Sequence, residues 1–352
     1  MANTLGFRAG YLTQRFNGFQ GFAELNYVQP FLSEYFDGVN GDPSRTLVAD
    51  TEQFELNQAW AQYSFATNSF EANIRAGRQA SAAIEERFIG NSGSRQGEQT
   101  YDSVATAFRF GEDSRWTVEY GYIDRVHRLF DVDSLDYESD SHASRLGYAS
   151  EDFGIISLFA VLLDFEDDAP SLSNQTYGVS VARPPVSRTQ LDLLYYLGFA
   201  SQQEYGSNPG NFDVFSIYTE TGVSIPSVGM FSIGYELSSS ESGEDAFQYS
   251  LSTGQRLHRI ADKFLTTPDE GLQDFFLNIE FPYLPNKSRA SMNYHYFISD
   301  EEELLLGQEA NVDLTIPLSE NLTVTGLVGY FSGEDSRFTD RLTVAIEFNL
   351  QF

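Results

Sequence analysis

About seventeen segments of roughly ten residues alternate apolar and polar side chains along this chain, and helical periodicity appears nowhere over a comparable span. The last, RLTVAIEFNLQF, sets Leu342, Val344, Ile346, Phe348, Leu350 and Phe352 against Arg341, Thr343, Ala345, Glu347, Asn349 and Gln351. Successive side chains of a strand point to opposite faces, so a period of two means a strand with one apolar face. RWTVEYGYID, MFSIGYELS, QDFFLNIEF and RASMNYHYF repeat the pattern. Ten residues is the length a tilted strand needs to cross a bilayer.

The connections alternate in length. Short ones fall at Asn17-Gly18 and at residues 66–69, 111–114, 151–153, 184–187, 226–229, 282–287 and 319–321. Between them lie longer acidic or Gly/Ser-rich stretches at 33–52, 81–99, 131–141, 164–173, 201–211 and 240–270. Short turns at one rim and long loops at the other are the signature of a transmembrane barrel. A soluble sandwich would not need so many strands in a row with that asymmetry. The expected fold is therefore all-β: one transmembrane antiparallel up-and-down barrel domain over residues 1–352, with about 16 to 18 strands. Seventeen visible strands are odd where single-chain bacterial barrels are even. The reading adopted is one upstream strand absent from this chain, with a miscounted strand as the alternative.

Composition agrees. Cysteine is absent, which excludes a disulfide framework and thiolate chemistry. No apolar run approaches the length of a spanning helix, the longest being IISLFAVLL from Ile155. The opening MANTLGFRAG lacks the basic and apolar regions of a signal peptide. The expected location is the bacterial outer membrane. Expected partners are its lipid and lipopolysaccharide, and no nucleic acid.

AGRQ (from Ala76), ERFIGNSGSRQGEQTYDSV (from Glu86) and ADKFLTTPDEGLQDFF (from Ala261) resemble signature stretches of the alginate-export family of outer-membrane barrels. YGYIDRVHRLF and LLDFED are similar to that family as well. The resemblance covers essentially the whole chain. It implies an outer-membrane channel, either a polyuronate exporter or a porin for small hydrophilic solutes, with a constriction lined by Arg. A last strand ending in phenylalanine, as at Phe352, resembles the address read by the barrel assembly machinery.

Only Lys263 and Lys287 are lysine among 21 basic residues, and eight Arg fall between positions 75 and 128. Arg is fixed in charge and forks onto carboxylates, so it suits a lumen that passes anions. Strand parity points Arg75, Arg109 and Arg125 inward, with Glu71 and Glu119 as inward partners. Arg78, Arg87, Arg95 and Arg289 complete the expected pore lining. The acids also allow a bland reading, in which the same Arg fill the barrel as an ion-pair network. The loop at 81–99 is expected to fold into the pore, because Ile84, Phe88 and Ile89 need burial.

Catalysis finds little support. Only His127, His142, His258 and His295 are available, and there is no Gly-x-Ser-x-Gly elbow. DVDSLDYESD, at 131–140, departs from a calcium loop at its fifth and sixth positions. No cofactor, metal site or enzyme activity is expected. A structural or adhesive barrel, or a barrel hydrolase, are the competing readings.

Overall fold

The computed structural model describes residues 2–352 apart from 34, 43–47, 49, 81–86, 92–94, 130–134, 186–189, 253–260, 262 and 283. The wall strands are β1 (Ala2–Leu12), β2 (Phe19–Ser33), β3 (Gln53–Ala66), β4 (Phe70–Gln79), β5 (Thr100–Phe110), β6 (Trp116–His127), β7 (Tyr137–Ser150) and β8 (Gly154–Leu163). They continue with β9 (Asn174–Arg183), β10 (Asp192–Glu204), β11 (Asp213–Ile225) and β12 (Gly229–Ser238). A small hairpin of β13 (Ser240–Glu241) and β14 (Asp245–Ala246) interrupts the wall. The wall resumes with β15 (Leu272–Phe281), β16 (Arg289–Ile298), β17 (Leu305–Pro317), β18 (Leu322–Gly333) and β19 (Arg341–Leu350).

Each wall strand pairs antiparallel with the next, giving one 17-stranded sheet in chain order. The first and last wall strands therefore run in the same direction. No ladder joins β1 to β19 among the described residues. Helix among those residues is confined to short 3-10 turns such as Glu112–Ser114, Pro170–Leu172 and Pro285–Lys287.

The two faces of the wall meet different solvents. Leu5, Phe7, Ile74, Leu158, Leu197, Ile233, Leu277, Val312 and Phe348 form an exposed apolar outer face. The opposite face carries Arg75, Glu119, Glu236, Asp274 and Asn311. A wall that is apolar outside and polar inside is the inverse of a soluble core, and it suits a hydrocarbon surround. Turn chemistry fixes the short-turn rim: Asn17 and Gly18 both have positive φ, 48° and 87°, as the hairpin turn that matches strand twist requires.

The largest buried apolar cluster lies inside the sheet. Phe88, Ile89, Phe247 and Leu251, from two long connections, pack on the inward residues Tyr101, Ile123, Phe159 and Val161. A second cluster sets Ala261 and Phe264 against Leu272, Phe297, Leu306 and Phe331. The expected infolding of the 81–99 loop is observed at Phe88 and Ile89, while Ile84 lies outside the described residues. Phe247 and Leu251 of the 240–270 connection join it there.

A lumen constricted by two loops and lined by a stepped arginine wall

On the inner face of β4, the Arg75 guanidinium lies 4.0 Å over the Trp60 ring and donates to Gln62 Oε1 from Nε and Nη2, at 3.0 and 2.7 Å. The stack is built by register. Gln62 lies directly opposite Arg75, and Trp60 opposite Gly77, on β3. Gly77 sits at φ +120°, and a Cβ there would come within 2.3 Å of the Ala59 carbonyl, so the close strand approach needs glycine.

Two further arginines stand on the same wall. Arg109 faces Glu71 at 3.7 Å, both well exposed to the lumen. Arg145 on β7 holds Glu119 at 2.6 Å in a more buried pair. Arg75 pairs with Ala105 across the β4–β5 ladder, so Arg109 stands four residues along the strand from it, about 13 Å. The arginines make steps down one side and do not meet as a ring.

The two infolded loops meet at one place. Ile89 bridges Leu251, and the Gly90 N–H donates to the Leu251 carbonyl at 3.0 Å. The Gln99 amide fastens the junction by donating to the Gly90 and Leu251 carbonyls, at 3.0 and 3.1 Å. From this plug Arg87 reaches Glu236 on β12 at 2.6 Å and lies 3.7 Å over the Tyr218 ring. Tyr249 donates to the same Glu236 oxygen at 2.8 Å. Burial works against the Arg87 charge, but the Glu236 carboxylate outweighs it and keeps the guanidinium protonated beyond its ordinary range. Burial and Glu236 together push the Tyr249 phenol up, so it remains a neutral donor.

Some sequence expectations are corrected. Arg78 lies outside the lumen: it alternates with Gly77 and shares its face with Ile74 and Ala76, pairing Asp102 at 3.0 Å. Arg125 also faces out. Between Ser103–Ile123 and Asp102–Arg125 the register shifts by one residue, and the extra residue, Asp124, reverses the parity beyond it. Arg125 then pairs Glu138 at 2.8 Å. Arg95 is partly buried in the infolded loop, while Arg289 keeps the inward parity of Asn293 and His295 and stands exposed at the short-turn end of β16.

The expected pore lining did not include several further lumen groups. Arg8 on β1 reaches Glu98 of the infolded loop at 2.8 Å, and Arg341 on β19 donates to the Ala261 carbonyl at 2.7 Å. The far wall, β11 to β19, turns Glu220, Glu236, Asp274, Glu309, Asp313 and Glu347 inward. His295 pairs Asp274 there at 2.8 Å. Parity applied evenly to β1 and β11–β19 would have found them.

The sequence matches no family model and no curated protein. Solved structures do match. Pseudomonas aeruginosa OpdK, crystallised with vanillate, is 13% identical with a TM-score of 0.68, over 98% of this chain and 92% of its own. The fold is that of an outer-membrane porin. A BenF-like porin from Pseudomonas fluorescens Pf-5 is 13% identical at TM-score 0.68, over 99% of this chain and 92% of that one. Acinetobacter baumannii OccAB2 is 13% identical at 0.67, over 99% and 91%. These structures support the porin-type barrel and not the alginate-export family that the sequence resembles.

Proposed function

We propose that the protein is a passive outer-membrane channel for small hydrophilic solutes that carry a carboxylate. The observation that carries this reading is the lumen. Arg75, Arg109 and Arg145 step along one wall on β4, β5 and β7, and Glu220, Asp313 and Glu347 face inward from β11, β17 and β19. Charges of opposite sign across a narrow, low-dielectric passage focus a field that orients a solute and favours anionic ends along the Arg side. Arg forks onto carboxylates with two parallel hydrogen bonds, so successive steps can hand such a group downward.

The two plugging loops favour small solutes over a polyuronate chain, because they pack on the wall through buried Phe88, Ile89, Phe247 and Leu251. OpdK was crystallised with vanillate, a small carboxylate, and this supports the same choice. The apolar outer face of the wall would sit in outer-membrane lipid. An adhesive or purely structural barrel would not need a charged lumen.

Purified protein in a planar bilayer tests the reading. Steady ionic current is expected, with a reversal potential in a salt gradient that small monocarboxylates shift or block more than polyuronate oligomers do. A bilayer that stays silent would remove the channel. Block by oligouronates alone would restore the exporter.

A further inference from the structure

A continuous run of polar contacts leads from the long-loop end of β5 and β6 to the junction of the two infolded loops. His127, the last residue of β6, has both ring nitrogens on carboxylates: Nδ1 lies 2.7 Å from Asp136 and Nε2 2.9 Å from Asp102. A neutral imidazole donates from one nitrogen only, so two carboxylate acceptors require the imidazolium. Arg78 of β4 also donates to Asp102, at 3.0 and 3.3 Å, which keeps that group a carboxylate. On the other side, Asp136 accepts the Arg128 backbone N–H at 2.8 Å. Arg128 then donates to Gln99 Oε1 at 2.9 Å and lies 5.1 Å over the Tyr137 ring. Gln99 is the amide that fastens the Gly90–Leu251 junction.

We propose that His127 is a positioning residue: as an imidazolium it locks the connection carrying Arg128 and Asp136 against β5, and through Arg128 and Gln99 it keeps the two infolded loops joined, so that loss of its proton loosens the constriction. The charged groups around it are accounted for strand by strand. Arg78 faces it from β4, Asp102 from β5 and Asp136 from its own connection. Arg125 of β6 and Glu138 of β7, the nearest others in register, are paired with each other. When His127 becomes neutral, one carboxylate keeps a donor and the other loses one. The lock is therefore complete in acid and weakened as pH rises.

The inference rests on the loops being the narrow part of a channel, so its test reads the loops directly. Hydrogen exchange of the Gly90 and Gln99 amides would be followed in the folded barrel at about pH 5.5 and 8, corrected for intrinsic rates, in wild type, His127→Gln and His127→Arg. Wild-type protection should fall about tenfold from the lower to the higher pH, the loss of one charge-assisted hydrogen bond. His127→Gln should show the low protection at both pH values. His127→Arg, a permanent two-donor cation, should show the high protection at both. Equal protection and equal pH response in wild type and His127→Gln would overturn the proposal. So would a His127→Arg variant as loose as His127→Gln. Bilayer recordings of the same samples should show noisier, larger openings wherever protection is low, and unchanged currents there would also sink it. Silence in every sample would count against conduction alone, because the exchange result stands without it.

Discussion

Arg87 and Glu236 are 149 positions apart in sequence and 2.6 Å apart in space, joined across the lumen face of the wall. The pair is buried, with Glu236 only 3% exposed. Removing one partner of such a pair leaves a desolvated charge behind, at a cost of about 3–5 kcal/mol. Arg87→Gln should therefore detach the loop from β12, widen the passage and raise single-channel conductance. Arg87→Gln combined with Glu236→Gln should recover part of the lost stability, since no charge is then stranded. Denaturant midpoints in detergent, read beside conductance, check this. A double variant no more stable than Arg87→Gln would mean the pair does not hold the loop.

Selectivity should follow the inner wall. A unit charge about 8 Å from a permeating ion contributes about 0.5 kcal/mol in water-like dielectric, roughly a twofold change in local ion concentration. Arg75→Gln, Arg109→Gln and Arg145→Gln should each move the reversal potential towards cations, and the triple variant further. Arg125→Gln, on the outer face, should leave it in place. A larger shift from Arg125 than from Arg75 would contradict the register assigned at Asp124.

Most of the fold was legible because period two carries both the strand and its orientation. Leu342 to Leu350, Phe231 to Leu237 and Phe275 to Phe281 read directly as outer faces. The same rule gave Arg75 and Arg109, and it failed at Arg125 because a one-residue bulge leaves no trace in the alternation around it. The plug was half legible. Phe88 and Ile89 in a loop announced a need for burial, but nothing local marks the distant Leu251 as the partner of Ile89. The Asp102 contact of His127 was hidden for the same reason, since it is made only through the β5–β6 pairing.

Packing on the plug has its own test. The Phe159 ring lies over Gly178 of the neighbouring strand, where an added Cβ would come within 2.1 Å of it. Phe159 in turn meets Phe88 of the infolded loop, ring centres 4.8 Å apart. Gly178→Val should push Phe159 off its seat at a cost of about 1–3 kcal/mol and raise proteolysis of the loop. Adding Phe159→Ala should make the two effects non-additive by at least about 0.5 kcal/mol. Simple additivity would show that the ring does not transmit the change.

The last expectation concerns acid. Asp164, just beyond β8, accepts the Ser207 N–H and hydroxyl at 3.1 and 2.7 Å and the Glu166 N–H at 3.2 Å, tying two long connections together. Burial alone would raise its pKa, but the Ser207 and Glu166 hydrogen bonds outweigh it and hold the carboxyl below the ordinary carboxylate range. A folded-state pKa below the unfolded value, about 3.9, means the contribution is fully present above that value and is lost as pH falls through the lower, folded one. The group is largely solvated, so the effect on global stability should stay under about 1 kcal/mol. Exchange of the Ser207 amide is the sensitive readout. Protection should be flat from neutral pH down to about 4 and drop below it, while Asp164→Asn should be less protected at neutral pH and insensitive to acid. A Ser207 amide that loses protection at the same pH in Asp164→Asn would place the titrating group elsewhere.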